Sequence, residues 1–370
     1  MSKGAYIGVD GVARKIKKGF VGVDGVARRI KKAYVGIGGV ARPCWSGGEL
    51  AYYGTATALN SALNGLTATT VGNYALFAGG DNCNVTGSQG NIVTAYNSSL
   101  TRSTPTQLRS NSMYWIATTV GNYALFVIAT YADAYDTSLT KTTTTAPSDS
   151  TWYPIAGATT VGNYALFGGG TTSPYYSYNS SLVNAYDTSL TRSIPTALSE
   201  ARSYLGATTV AGYALFAGGN VSSTVDAYDT SLTRSTPTAL STARSGVRGT
   251  TVGNYAVFGN GGSGTTVINT VDAYNASLTR IAATAFSTAR TSYAATAIGD
   301  YAIFGGGSDS DDDETAVVNA YDASLTRSTP TALSQARYGL AATTVGDYAL
   351  FAGGRHGGYG DDEVDVYTLV

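Results

Sequence analysis

Acidic residues are concentrated in two short stretches of this sequence, where they could bind a cation. Asp309–Glu314 contains five acidic residues, Asp361–Glu363 contains three, and Asp81 is a further one. Because Ca²⁺ prefers oxygen ligands, the candidate metal ligands are Asp309, Asp311, Asp313, Asp361 and Asp362. Their order does not match the spacing of an EF-hand loop, so a solvated acidic rim is the alternative interpretation.

The sequence offers few residues for catalysis. It contains one histidine, His356, whereas imidazole-based metal sites and Ser-His relays need further partners. Its two cysteines, Cys44 and Cys83, show neither a metal-ligand spacing nor a disulfide framework. A carboxylate pair for glycoside hydrolysis stays open as an alternative. We therefore expect a protein that is not an enzyme and has no cofactor, apart from the Ca²⁺ hypothesis.

A set of tyrosines and tryptophans supplies candidate binding residues. Each combines an apolar ring with a polar group, which suits sugar rings or a protein surface. The alternative is that many of these rings pack in the core. The candidates are Tyr114, Trp115, Trp152, Tyr153, Tyr175, Tyr176, Tyr204, Tyr293, Tyr338 and Tyr359.

The elements that must position these residues belong to a long repeat. The stretch TVGNYALFAGG at Thr70–Gly80 returns with small edits to give seven copies, whose central tyrosines lie 41 to 49 residues apart. A period in this range indicates a propeller or a solenoid. The central tyrosines are Tyr74, Tyr123, Tyr164, Tyr213, Tyr255, Tyr301 and Tyr348.

One copy, Gly206–Arg244, is typical of a four-stranded unit separated by glycine-rich turns. Proline cannot donate to a ladder, so Pro237 places the fourth strand at the outer edge. The predicted strands are A (Ala207–Val210), B (Tyr213–Ala217), C (Thr224–Tyr228) and D (Arg234–Leu240).

Counting strands predicts how the repeat closes into a ring. Strands A, B and C occur in seven copies, the last C strand being Val364–Leu369, and Tyr53–Leu59 aligns with the D segments of the other copies. We therefore predict an all-β fold in which residues 49–370 form a seven-bladed β-propeller closed by the outer strand 53–59.

The repeat resembles the kelch repeat. The shared features are a glycine pair after strand B (Gly218-Gly219), a Tyr-Asp pair ending strand C (Tyr228-Asp229) and an arginine before the next strand A (Arg244). The tryptophan that usually follows Tyr-Asp in kelch repeats is replaced by the sequence SLTR or SLTK. We expect the repeat-end arginines to hydrogen-bond between blades; they are Arg109, Arg202, Arg244, Arg290 and Arg337.

The two faces of the predicted ring differ in variability. The A–B and C–D turns share one face and are nearly uniform, whereas the B–C loops, which share the other face with the D–A loops, differ in length and composition. Loop variation on a rigid scaffold indicates a binding face, with neutral drift as the alternative. The aromatic set and the acidic stretches of the neighbouring blades 6, 7 and 1 are predicted on this face, and blade 2, which has almost no B–C loop, should form a notch.

Residues 1–48 form a different, basic segment. Residues 1–45 have a balance of +8, against −9 for residues 46–370. A 14-residue repeat, Ala5–Lys18, Gly19–Lys32 and Ala33–Trp45, predicts three hairpins with two-residue turns. We expect this segment to serve in anchoring or oligomerisation. Nucleic-acid binding is disfavoured, because no aromatic platform interleaves with the lysines.

The tandem pattern YIGVDGVARKIKK resembles short N-terminal repeats of bacteriophage and prophage virion proteins, such as tail or fibre proteins. This resemblance implies a virion location, attachment to other virion proteins through residues 1–48, and a homo-oligomer in the assembled particle. The N-terminus lacks a signal-peptide layout, and no run of 18 apolar residues occurs. We therefore expect synthesis in the bacterial cytoplasm and no membrane insertion.

Taken with the variable loop face, these features predict a non-enzymatic virion adhesion protein whose propeller binds a cell-surface glycan or protein. One alternative is an intracellular kelch-like adaptor for protein interactions. A further alternative is an enzyme that cleaves glycans.

Overall fold

The computed structural model describes residues 48–82, 90–113, 115–148, 153–172, 178–264 and 266–370, together with the backbone of six strands between residues 6 and 46. Throughout these ranges the chain forms strands and turns, without a helix. The described part therefore contains no helix that could cross a membrane.

The N-terminal segment forms the three predicted hairpins. In each, two residues separate the last pair of the ladder, as between Val9 and Val12. The residues predicted to form the turns lie outside the described ranges. The strands are β1 (Tyr6–Val9), β2 (Val12–Lys15), β3 (Gly19–Val23), β4 (Val26–Ile30), β5 (Lys32–Ile37) and β6 (Val40–Ser46).

The rest of the chain forms seven antiparallel four-stranded sheets, which are the blades of a β-propeller. The strand that closes the ring is β7 (Leu50–Thr55). Blade 1 contains β8 (Asn64–Val71), β9 (Tyr74–Asp81), β10 (Val93–Asn97) and β11 (Arg102–Ser103). Blade 2 contains β12 (Ile116–Val120), β13 (Tyr123–Ile128), β14 (Tyr131–Tyr135) and β15 (Lys141–Thr144). Blade 3 contains β16 (Tyr153–Val161), β17 (Tyr164–Thr171), β18 (Val183–Asp187) and β19 (Arg192–Ser193).

Blades 4 to 7 follow the same order, with extra hairpins in blades 5 and 7. Blade 4 contains β20 (Gly206–Val210), β21 (Tyr213–Ala217), β22 (Val225–Tyr228) and β23 (Arg234–Ser235). Blade 5 contains β24 (Gly249–Val252), β25 (Tyr255–Phe258), β28 (Val271–Tyr274) and β29 (Arg280–Ala283), with the hairpin β26 (Gly261–Ser263) and β27 (Thr266–Ile268). Blade 6 contains β30 (Ala294–Ile298), β31 (Tyr301–Gly305), β32 (Val318–Asp322) and β33 (Arg327–Ser328). Blade 7 contains β34 (Ala341–Val345), β35 (Tyr348–Ala352) and β38 (Val364–Leu369), with the hairpin β36 (Arg355–His356) and β37 (Tyr359–Gly360).

The outer strand of blade 7 comes from the N-terminal side of the propeller, but its position differs from the prediction. β7 pairs with β38 over Leu50–Thr55, whereas Tyr53–Leu59 was expected. Ala56 still donates its N–H to the Val364 carbonyl (2.9 Å). The chain then leaves the ladder because Leu59, which is 3% exposed, packs into the core between blades 7 and 1.

The D strands are shorter than predicted for the same reason. In blade 4, β23 ends at Ser235, whereas the prediction extended the strand to Leu240. Beyond Ser235 the segment packs against the next blade: the Thr238 carbonyl accepts a hydrogen bond from the Tyr274 hydroxyl (2.8 Å), and Leu240 is buried. Contacts between blades thus replace the outer ladder in the second half of the D segment.

One tyrosine hydrogen bond is repeated at all seven junctions between blades. The C-strand tyrosine of each blade donates its hydroxyl to a threonine carbonyl in the D segment of the preceding blade, with distances of 2.5 to 2.9 Å. Tyr96 makes this bond to Thr57 (2.6 Å), so the same contact closes the ring between blades 1 and 7. The donors are Tyr96, Tyr135, Tyr186, Tyr228, Tyr274, Tyr321 and Tyr367. Burial raises the pKa of each of these hydroxyls far above the ordinary value.

The A strands surround the axis and are joined through their threonines. Thr119 donates its hydroxyl to the Thr70 carbonyl (2.5 Å), and Thr209 donates to that of Thr160 (2.6 Å). Thr70 makes the same bond to Thr344 of blade 7 (2.7 Å). The repeated Thr-Thr-Val sequence of strand A is therefore explained by hydrogen bonds between neighbouring A strands around the axis.

Candidate binding face and central cavity

The A–B and C–D turns form one face, and they interlock in a uniform way. In the C–D turn of blade 4, Asp229 Oδ1 accepts the N–H groups of Ser231 (2.8 Å) and Thr233 (2.9 Å). Leu232 in the same turn has a φ of 62°. A Cβ added at Gly162, in the A–B turn of blade 3, would meet the Thr230 side chain at 3.1 Å. The turn face is thus made of closely packed repeated turns, which explains the uniformity of their sequences.

The B–C and D–A loops form the opposite face, and several D–A loops pair with the B–C loop of the blade that they lead into. Short β-bridges connect the two kinds of loop: Ser245 with Gly262, Thr291 with Ser308, and Tyr338 with Arg355. In blade 2 the B–C connection is a tight turn, because Ile128 pairs directly with Tyr131. The prediction that blade 2 has almost no B–C loop is therefore confirmed. We call this side the loop face.

The repeat-end arginines lie between blades, as predicted. Arg244 and Arg337 are fully buried and pair with Asp272 (2.9 Å) and Asp365 (2.6 Å) on strand C of the next blade. Arg109 and Arg202 pair in the same way with Asp133 and Asp226.

Arg290 differs from the other four arginines because its partner on the next blade is neutral. Its guanidinium donates to the Asn319 side chain (3.2 Å) instead of a carboxylate. Burial lowers the pKa of Arg290 to about 10.

The aspartate partners of these arginines were missed by the sequence analysis. The available signal was an acidic residue two positions before the C-strand tyrosine, as in the Val-Asp-Ala-Tyr sequences of blades 4 and 5.

Three of the candidate aromatic residues contribute to the loop face. Tyr359, in the hairpin of blade 7, is 67% exposed, and Tyr204 is 42% exposed. Tyr338 is partly exposed. Tyr204 has a φ of 57° and occupies the repeat position of Gly246 and Gly339, which also have positive φ. Tyr204 therefore combines a left-handed backbone conformation with an exposed side chain.

Two other candidates, Trp115 and Tyr293, are buried between blades. They are 4% and 1% exposed. Both occupy the repeat position of Leu205 and Val247, which are core residues. Burial raises the pKa of Tyr293 to about 12, and its hydroxyl donates to the Asn260 carbonyl (3.1 Å). Tyr293 is therefore a core residue, contrary to its expected place on the exposed binding surface, whereas Trp115 reaches the wall of the cavity described below.

The remaining aromatic candidates cannot be placed on either face. Tyr153 begins β16, and its side chain is not among those described. Tyr114, Trp152, Tyr175 and Tyr176 lie outside the described residues.

The acidic candidates hold the loops of blades 6 and 7 in place. Asp309 Oδ1 accepts the N–H groups of Asp311 (3.0 Å) and Asp313 (3.1 Å). Asp361 Oδ1 accepts that of Glu363 (2.7 Å), and the backbone carbonyl of Asp362 accepts that of Leu59 (2.8 Å).

Glu314 and His356 connect the loops of blades 6 and 7. His356 Nδ1 lies 2.8 Å from Glu314 Oε2 and 2.8 Å from the Ala336 carbonyl. Across the described part of the chain, no group of three or more His, Cys, Asp or Glu side chains is placed to hold a metal ion. The Ca²⁺ hypothesis stays a prediction.

A cavity of about 500 Å³ lies on the axis at the loop face. Its wall is formed by the beginnings of the A strands of all seven blades and by the D–A loops. Much of the wall consists of alanine and glycine, as at Ala156-Gly157 and Gly206-Ala207, so the blades leave space between them. Tyr204, Trp115 and Met113 add larger side chains. Among the described lining residues, Asp81 and Arg248 carry charge.

These features define the class of protein as a seven-bladed β-propeller with a uniform turn face, a variable loop face and a central cavity that opens on the loop face. No protein-family model matches the sequence, and no curated protein is significantly similar to it. The resemblances to kelch repeats and to virion repeats therefore stay predictions.

Proposed function

We propose that this chain is a non-enzymatic adhesion protein of a bacteriophage particle. The loop face of the propeller binds a cell-surface glycan or protein, and residues 1–48 attach the propeller to other virion proteins. One observation carries the binding role: sequence variation between the repeats is concentrated on the face where the cavity opens, while the opposite face consists of repeated interlocking turns.

The form of the loop face suits a ligand-binding role. The cavity volume of about 500 Å³ is within the usual range of small-molecule sites. Tyr204 and Tyr359 expose rings that can stack on a sugar or pack against a protein. Bridges between D–A loops and the B–C loops of blades 5, 6 and 7 hold several of these loops on a common support.

The proposed attachment to a virion rests on the amino-acid pattern of the N-terminal repeats and on their charge. Residues 1–45 contain ten lysines and arginines against two aspartates, and each of the three hairpins is a separate two-stranded sheet. An isolated two-stranded hairpin is marginally stable in water. Copies of the segment, or a partner protein, would supply the missing packing surface.

A binding assay with matched tyrosine variants tests the proposed function. The fluorescently labelled full chain is titrated onto a panel of bacterial cells and onto a glycan array. The double variant Tyr204→Ala/Tyr359→Ala changes the loop face, and Tyr53→Ala is the control. Tyr53 is 56% exposed and contacts Tyr348 beside the A–B turn of blade 7, at 5.2 Å between ring centroids.

We expect the double variant to bind at least about tenfold more weakly, because anchoring aromatic residues usually contribute much of the binding energy. The control should bind like the unchanged chain, and the melting temperatures should stay close to one another. Equal binding by the double variant together with loss of binding by Tyr53→Ala would place the functional face on the turns. Release of soluble sugar from the array would indicate an enzyme.

A further inference from the structure

Arg248 is exceptional among the residues that begin the A strands. It lies directly before β24 and lines the central cavity. The corresponding position in the other six blades is uncharged, although all seven strands have similar sequences. The residues there are Thr67, Ile116, Gly157, Gly206, Ala294 and Ala341.

The guanidinium of Arg248 has no protein partner within the described residues. Its backbone N–H donates to the Tyr293 hydroxyl (3.3 Å), but no hydrogen bond or ion pair of the side chain occurs there. Arg244, only four residues earlier, is fully buried and paired with Asp272 (2.9 Å). Within the part of the chain that the structure describes, the repeat therefore provides an acidic partner for Arg244 and none for the Arg248 guanidinium that faces the cavity.

The position of Arg248 inside the ring favours an anionic ligand. The side chain is exposed to the cavity, yet the surrounding blades lower its pKa, because the protein restricts hydration of the charge. A charge in such surroundings gains more from a counter-charge than one on an open surface. Asp81 lies on blade 1 and Arg248 on blade 5, so the cavity wall carries opposite charges on different blades.

We propose that the central cavity binds a carboxylate-bearing sugar, such as a uronic acid or a sialic acid, with its carboxylate on Arg248. The planar guanidinium can donate two parallel hydrogen bonds to a carboxylate, which fixes the orientation of the sugar as well as its charge. The volume of the cavity suits one or two sugar rings, and Tyr204 provides aromatic surface for an apolar sugar face. This inference rests on the proposed adhesion function and names its ligand class.

Titration of the full chain with small sugars tests the inference. Sodium glucuronate and N-acetylneuraminate are compared with the neutral sugars glucose and N-acetylglucosamine, by calorimetry or ligand-observed NMR. The variants are Arg248→Met, which removes the charge at similar volume, and Arg248→Lys, which keeps the charge without the planar fork. Lys141→Met is the charge-matched control, because Lys141 lies on the outer strand of blade 2.

We expect at least one acidic sugar to bind saturably. Its neutral counterpart should bind at least about tenfold more weakly, because it cannot form a charge-assisted pair with Arg248. Arg248→Met should lose binding by a similar factor, Arg248→Lys should retain part of it, and Lys141→Met should behave like the unchanged chain. Thermal melts show whether each variant is folded. Because the Arg248 side chain makes no hydrogen bond or ion pair with described residues, Arg248→Met should melt normally.

Three results would overturn the inference: equal binding of neutral and acidic sugars, unchanged binding by Arg248→Met, or no saturable binding of either sugar acid. Failure here is distinguishable from failure of the adhesion function. If cells are bound through the loop face but neither sugar acid binds, adhesion stands and the acidic-sugar site falls. If sugar acids bind through Arg248 but no cell is bound, the site stands and the adhesion function falls.

Discussion

Raising the pH should unfold the propeller in a single steep step, because the tyrosines that join the blades are buried as neutral hydroxyls. Seven C-strand tyrosines donate to carbonyls of the preceding blade. Burial raises the pKa of each above that of an exposed tyrosine. Their contribution to stability is therefore complete below about pH 10 and is lost as the pH rises toward their folded pKa values.

The size of the effect follows from the number of tyrosines. At pH 11 an unfolded tyrosine with an ordinary pKa gains about 1.4 kcal/mol by ionising, which the buried residue cannot gain. Seven such residues together give about 10 kcal/mol, comparable with the usual free energy of unfolding of a domain. We therefore expect cooperative loss of the fold near pH 11.

Tyrosinate absorbance and near-ultraviolet circular dichroism, recorded together during an alkaline titration, provide the assay. The exposed tyrosines should ionise first, followed by one step in which the remaining absorbance rises as the dichroism is lost. The variant Tyr186→Phe should make that step less steep. Gradual ionisation of all tyrosines around pH 10, with the dichroism unchanged, would refute the assignment of these hydroxyls to the buried junctions.

Three further changes test the junctions between blades and the closure of the ring. Tyr96→Phe removes the hydrogen bond to Thr57 and should lower the free energy of unfolding by about 1 kcal/mol in denaturant titrations; an unchanged midpoint would contradict a closing role for this bond. Arg337→Met leaves Asp365 buried without its cation and should cost about 3 kcal/mol, measured in the same way, whereas Arg337→Met/Asp365→Asn should recover part of the loss. Deleting residues 1–48 should leave a folded propeller, whereas deleting 1–60 removes β7; equal thermal melts of the two fragments would contradict the assignment of the closing strand.

The architecture could be predicted because it is repeated in the sequence. Seven copies with a regular period define the blades, and the polar turn residues between them separate the two faces. The strand lengths were less predictable. Pro237 correctly marked an outer edge, but the sequence of one blade does not show that Thr238 and Leu240 pack against the next one. A contact between neighbouring repeats shortens a strand without changing its local pattern.

The sequence predicted which face carries the candidate site, but it was less informative about the individual residues of that site. Trp115, Tyr204 and Tyr293 are all aromatic, so residue type does not show which of them is exposed. Their positions within the repeat do. Trp115 and Tyr293 align with buried aliphatic residues, and Tyr204 aligns with glycines of positive φ. Arg248 was not predicted as a site residue because it belongs to no motif of the sequence. Comparison of the seven A strands would have revealed it as the one charged residue at its position.

Radical footprinting of the full chain bound to cells tests the binding face most directly. Oxidation of each tyrosine is compared by mass spectrometry between free protein and protein bound to a cell type found in the binding assay. We expect protection of Tyr204, Tyr338 and Tyr359 on the loop face and unchanged oxidation of Tyr53 beside the turns. Protection of Tyr53 and of the C–D turn peptides, with the loop-face tyrosines unchanged, would contradict this expectation.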